Sequence, residues 1–85
     1  MSKELTYGEL ATLMKSNAGI TVDVALLSGH PETPFAEYGL DSLGLLGIVG
    51  ALENDRGIPI AGDADSCKTP GAFMDVVNTS LKAGV

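Results

Sequence analysis

The sequence predicts an all-α fold, a small bundle of three main helices plus one short helix, with a long loop between the first two main helices. Thr6, Asp41 and Thr69 each stand as a capping residue just before a stretch whose apolar residues recur at helical spacing. No stretch alternates apolar and polar residues long enough to make a strand. The 85 residues are 45% hydrophobic, which suits a packed core. Against the ~150 residues of an average domain, that length leads us to expect one domain over residues 1–85.

The first helix starts at Thr6-Tyr7-Gly8-Glu9, where the Thr hydroxyl and the Glu carboxylate can each accept a backbone N–H of the first turn. Leu5 before the cap and Leu10 after it match a hydrophobic staple. The apolar stripe runs through Leu10, Leu13 and Met14 and meets Asn17-Ala18-Gly19, so this helix is expected from Tyr7 to about Asn17. From Ile20 to Leu40 the turn sequences Ser28-Gly29-His30-Pro31 and Thr33-Pro34 indicate a loop, pinned to the core by Val22, Val24, Leu26, Leu27 and Phe35. A loop of about 20 residues is long for a compact domain and signals either function or an unrecognised helical turn.

Asp41 caps the second main helix, with Leu40 and Leu45 as its staple, and Gly57 is placed to end it after about Arg56. At about 100° per residue, Leu45, Leu46, Ile48, Val49 and Leu52 fall on one half of this helix, and Gly44, Gly47, Gly50 and Ala51 on the other. Ile58-Pro59-Ile60 is too short to read as a strand, and Gly62 to Cys67 suits a single helical turn. Thr69-Pro70 then caps and opens the last helix, in which Phe73, Val76, Val77 and Leu81 repeat at helical spacing.

Charge and size narrow the function. A net charge of −6 repels phosphate backbones and anionic lipid, which disfavours nucleic-acid and membrane partners and favours basic ones. The single Cys67 allows neither an internal disulfide nor a zinc cluster, which fits a reducing cytoplasm. The first residues lack the apolar core of a signal peptide, and the longest uncharged apolar run, Leu43 to Leu52, is half the ~20 residues needed to cross a bilayer. A chain this short buries only about 60–65% of its unfolded surface, leaving little room for a substrate cleft.

Gly39-Leu40-Asp41-Ser42-Leu43 places a serine at the first position of a helix, directly after its cap. A hydroxyl there lies among unpaired N–H groups at the positive end of the helix dipole, where an attached anion is favoured. The same residues also suit an ordinary capped helix that tolerates a serine. A hydrolase nucleophile fits poorly: the nucleophile elbow needs glycine two positions before the serine, where Leu40 stands, and the lone His30 sits in a turn-rich segment.

With Leu40-Asp41-Ser42-Leu43 opening the second main helix of an acidic helical chain, the sequence resembles an acyl carrier protein over essentially its whole length. Ala51-Leu52-Glu53, Gly57-Ile58-Pro59-Ile60 and the Thr69-Pro70 helix make it most similar to the carriers of bacterial aromatic (type II) polyketide synthases. The resemblance implies that Ser42 receives 4′-phosphopantetheine from coenzyme A by a Mg²⁺-dependent phosphopantetheinyl transferase. It implies that the chain binds no metal, has no catalytic residue of its own, and carries malonyl and growing polyketide groups as thioesters. The implied partners are malonyl-CoA:carrier acyltransferase, a ketosynthase/chain-length-factor pair, ketoreductase and cyclases or aromatases, which act on a monomeric carrier. It further implies that Asp41, Leu43, Gly44, Gly47, Gly50 and Glu53 present the recognition face, and that Leu13, Phe35, Leu46, Val49, Leu52, Ile60, Phe73, Val76 and Val77 are candidates to line an acyl-chain cavity. A fatty-acid-synthase carrier and an unmodified helical interaction module are the alternatives.

The chain departs from that family at two places. Gly47 stands where glutamate is typical, and three helix-interior glycines cost roughly 2.5–3 kcal/mol relative to alanine. Either the smooth face lets partner side chains approach the backbone, or it is drift on a surface read through Asp41, Leu43 and the flanking acids Glu37, Glu53, Asp55, Asp63 and Asp65. Arg56 stands where an aromatic is usual, and is expected to lay its methylenes on apolar surface with its head in water.

Overall fold

The computed structural model describes residues 4–57, 59–60 and 62–83, which form four helices and no strand. Helix α1 spans Tyr7–Ala18, α2 Val24–Gly29, α3 Ser42–Arg56 and α4 Pro70–Ala83, with 3₁₀ turns at Phe35–Tyr38 and Ala64–Ser66. The three expected main helices are α1, α3 and α4.

Each cap acts as its chemistry dictates. Thr6 Oγ1 accepts from the Glu9 N–H at 3.2 Å, Asp41 Oδ1 from Gly44 N–H at 2.8 Å, and Thr69 Oγ1 from Ala72 N–H at 3.2 Å. The staple pairs are buried, Leu5 with Leu10 and Leu40 with Leu45. Helices α1 and α3 end on Gly19 and Gly57, both in the left-handed region with φ of 69° and 67°, where a side chain would be strained.

The expected long loop contains α2. Asp23 caps it, Oδ1 accepting from Ala25 N–H at 2.9 Å, but six residues are too few to display a period. Only Leu27 of this helix enters the core; Val24 and Leu26 are exposed, contrary to the expectation that they pin the loop. The rest of the segment is tied to the start of α4 by its backbone. Phe35 N–H donates to the Lys68 carbonyl and Gly71 N–H to the Pro31 carbonyl, each at 2.8 Å. Gly71 must be small here, because a Cβ would lie 3.1 Å from Pro31 Cβ and 3.2 Å from its carbonyl oxygen.

Leu10, Met14, Leu27, Ile48, Leu52, Phe73, Val77 and Leu81 form the innermost core. The Phe35 and Phe73 rings meet edge-to-face with centroids 5.9 Å apart, a favoured aromatic geometry that anchors the Phe35–Tyr38 turn over α4. Asn78 closes the bundle, its Oδ1 accepting from Leu5 N–H at 2.6 Å and its Nδ2 donating to the Leu5 carbonyl at 3.2 Å. Among the described residues no helix is long and apolar enough to cross a membrane.

Candidate functional site

Ser42 is the first residue of α3 and is exposed. Asp41 satisfies the Gly44 N–H, and Leu45 N–H already donates to the Asp41 carbonyl at 3.0 Å. The N–H groups of Ser42 and Leu43 are left without intrahelical acceptors, as in any first turn. The residues therefore put an accessible hydroxyl beside free donors and the positive end of a fifteen-residue helix.

Next to that hydroxyl lies a cavity of about 290 Å³. Its walls are the Pro34-Phe35-Ala36 turn, Leu40 to Ser42 with Leu45 of α3, and Asp65 to Lys68 from the segment before α4. The floor is apolar, through Phe35, Leu40 and Leu45, and the rim carries the polar groups of Asp41, Asp65, Ser66 and Lys68. Such a mixed cleft can hold a flexible amphiphilic chain tethered at Ser42, so the residues present fit a phosphopantetheine arm. Cys67 is a half-buried part of the wall, as a small filler should be. Burial pushes its thiol pKa up, and the charges of Asp63 and Asp65 add to that push. His30 is exposed and does not line the cavity.

Of the residues expected to line an acyl cavity, Phe35 lines this cleft, and Leu13 and Leu52 line a second cavity of about 590 Å³ between α1 and α3. Val49, Leu52, Ile60, Phe73 and Val77 are buried, and Leu13 and Val76 pack half-buried against them. Leu46 is 50% exposed. The core takes Leu45, Ile48, Val49 and Leu52, an arc of only about 100° on α3, and Leu46 points about 60° beyond it. Asp65 was expected only as a flanking acid, and Ser66 and Lys68 were not anticipated, because chain reversal rather than local pattern brings this segment to Ser42.

The expected recognition residues separate. Asp41, Leu43, Gly47 and Gly50 are exposed on or beside the outer side of α3. Gly44 is not on that face: a Cβ there would meet Leu40 Cδ1 at 2.7 Å and Ala18 Cβ at 3.5 Å, so it is a packing glycine where α3 passes α1. Glu53 is half-buried and its Oε2 accepts from Ile60 N–H at 2.8 Å, which fixes the chain after α3. Ile58 lies outside the described residues.

Arg56 corrects the expectation of a wet head group. Its side chain is only 14% exposed, and its guanidinium pairs with Glu9 of α1 at 2.8 Å and Asp55 at 2.6 Å. The hydrogen bond to Glu9 raises its pKa, burial acts against this, and Asp55 adds to the rise. Glu9 therefore serves as a partner across the bundle and not as the second half of a capping box.

Residues 8–77 match the family model described as "Phosphopantetheine attachment site". The chain is 53% identical over 81 residues to the curamycin polyketide synthase acyl carrier protein of Streptomyces cyaneus, covering 95% of this chain and 92% of that one. It is 46% identical over 82 residues to a probable acyl carrier protein of Streptomyces coelicolor, covering 96% and 91%. Its fold is similar to the solution structure of the 3,5-dioxohexyl acyl carrier protein from the actinorhodin polyketide synthase of S. coelicolor, with a TM-score of 0.81, 28% identity and full coverage of both chains. An exposed serine hydroxyl at a helix start, a mixed cleft beside it and these likenesses agree, and the chain belongs to the phosphopantetheine-bearing acyl carrier protein family.

Proposed function

We propose that residues 1–85 form one carrier domain of a type II aromatic polyketide synthase and that Ser42 is its point of attachment. The observation that supports this most is the exposed Ser42 hydroxyl at the start of α3, opening onto the cavity walled by Phe35, Leu45 and Cys67. When bound, 4′-phosphopantetheine supplies a terminal thiol that holds malonyl and poly-β-keto groups as thioesters. In the transfer Ser42 Oγ loses its proton and bonds to the phosphopantetheine phosphorus of coenzyme A, the pyrophosphate P–O bond of coenzyme A breaks, and adenosine 3′,5′-bisphosphate leaves, so that Oγ becomes an ester oxygen of the phosphodiester. The free N–H groups of Ser42 and Leu43 and the helix dipole favour the negative charge there. Asp41 keeps the helix start rigid through its bond to Gly44 N–H. In this reading the chain is a substrate of the transferase, acyltransferase, ketosynthase pair and tailoring enzymes in the cytoplasm, and is not itself an enzyme.

Intact mass tests the reading in two stages. Incubation with coenzyme A, Mg²⁺ and a phosphopantetheinyl transferase is expected to add one phosphopantetheine, and malonyl-CoA with its acyltransferase then adds malonyl. No addition, under conditions that modify a control carrier, supports an unmodified interaction module. If loaded protein gives unreduced poly-β-keto chains with a ketosynthase/chain-length-factor pair, the polyketide role stands; if it works only with fatty-acid-synthase enzymes, the fatty-acid alternative replaces it.

A further inference from the structure

The cleft beside Ser42 holds one positive side chain, Lys68, against two carboxylates, Asp41 and Asp65. Two backbone hydrogen bonds in series fix the main chain of Lys68 relative to Ser42. The Lys68 carbonyl accepts from Phe35 N–H at 2.8 Å, and the Phe35 carbonyl accepts from Leu40 N–H at 3.1 Å, just before the start of α3. On the other side of Lys68, Thr69 caps α4 through Ala72 N–H at 3.2 Å. The root of the lysine is therefore held from both directions. Its side chain is not: Lys68 is exposed and, among the described residues, forms no ion pair. The other described basic residues are engaged or placed elsewhere. Arg56 pairs with Glu9 and Asp55, Lys82 pairs with Glu4, and Lys15 lines a hollow with Thr21, Val22 and Val24.

The geometry points to Lys68 as the counter-ion of the phosphodiester attached at Ser42, its ammonium crossing the mouth of the cleft to the phosphate oxygens. This rests on the reading of Ser42 as the attachment site. Attachment brings a third negative charge into a cleft that already holds Asp41 and Asp65, and like charges so placed repel one another. The start of α3 offers N–H donors to one side of the phosphate. Lys68 comes from the facing wall and supplies the only full positive charge among the cleft's residues. A compact ammonium on a flexible four-carbon stem suits this, because it meets phosphate as a point charge and demands no fixed bidentate geometry. The phosphodiester is its partner and the tethered acyl group is not: the phosphorus is bonded directly to Ser42 Oγ, whereas the acyl group lies beyond the whole flexible arm. With the phosphate held between the helix start and Lys68, the arm is directed from its first atoms.

The test compares the apo and phosphopantetheine-loaded forms of the unsubstituted protein, Lys68→Met and Lys68→Arg, with intact mass confirming complete loading. Thermal unfolding is followed at low salt. Loading is expected to raise Tm by about 2–4 °C more in the unsubstituted protein than in Lys68→Met, the size of one solvent-exposed ion pair in a domain this small. Lys68→Arg keeps most of that difference, and about 0.5 M NaCl removes most of it. The phosphorus NMR signal of the loaded protein is expected to move in Lys68→Met and to move little in Lys68→Arg, which a merely structural lysine would not cause. Lys68 is exposed, so the fold is retained and circular dichroism checks this; Lys68→Gln takes the place of Lys68→Met if that variant does not fold or load. An equal effect of Lys68→Met on apo and loaded forms overturns the inference, as does an unmoved phosphorus signal. A difference that arises only after malonyl is added overturns it too, since the lysine then meets the acyl carboxylate. Failure of the unsubstituted protein to load removes the attachment reading, whereas complete loading without a lysine effect removes only the counter-ion.

Discussion

Gly47→Ala and Gly50→Ala, made together, are expected to raise stability by about 1.6–2 kcal/mol, because each helix-interior glycine costs about 0.8–1 kcal/mol relative to alanine. A Cβ at either position meets nothing within 4 Å, so no repacking subtracts from this gain. For a domain of this size about 1 kcal/mol corresponds to about 4–8 °C in Tm, so the pair should raise Tm by roughly 6–16 °C. Gly44→Ala provides the contrast. Its Cβ would stand 2.7 Å from Leu40 Cδ1, and Leu40 is itself buried, so the leucine must shift and overpacking cancels or reverses the propensity gain. Thermal and urea unfolding followed by far-UV circular dichroism measure all three. Equal stabilisation by Gly44→Ala, or a loss of stability in the Gly47/Gly50 pair, would refute the placement of α3 relative to α1 and to solvent.

Asp41→Ala removes the acceptor for Gly44 N–H and is expected to cost about 1 kcal/mol, while Asp41→Asn costs little because asparagine caps nearly as well; denaturant midpoints separate the two. Gly71→Ala places a methyl against the backbone of Pro31, which cannot swing away as a leucine tip can, so it is expected to destabilise by about 1–3 kcal/mol and lower Tm. Cys67 should react with iodoacetamide along a pH curve whose midpoint lies above the ordinary 9.0. The linked stability effect has a fixed sign: with the folded thiol pKa above the unfolded one, the unfolded chain releases its proton first, so stability falls as pH rises past 9.0 and levels off above the folded value. A midpoint at or below 9.0 would contradict the half-buried, acid-flanked setting.

Local chemistry made α1, α3 and α4 legible. Thr6, Asp41 and Thr69 announce helix starts by side-chain oxygens that need only the next three residues, and Gly19 and Gly57 announce ends by a backbone region open to them. The position of Ser42 was legible for the same reason, since it depends on one helix start. The α2 helix was not, although Asp23 was a cap signal, because six residues do not complete two turns. Leu46 and Gly44 were misplaced since a half-helix division is coarser than the arc that the core covers. The Arg56–Glu9 pair, the Asn78 clasp on Leu5 and the approach of Lys68 to Ser42 join residues 47, 73 and 26 positions apart, and no local pattern encodes which of many exposed polar groups will meet.

Fragment mass spectrometry of the transferase-treated protein locates the adduct. One phosphopantetheine on the peptide containing Ser42, absent from Ser42→Ala and retained in Ser66→Ala from the same cleft, is the predicted result. An adduct on Ser66 or any other hydroxyl, or undiminished labelling of Ser42→Ala, would contradict the assignment of the α3 start as the carrier's point of attachment.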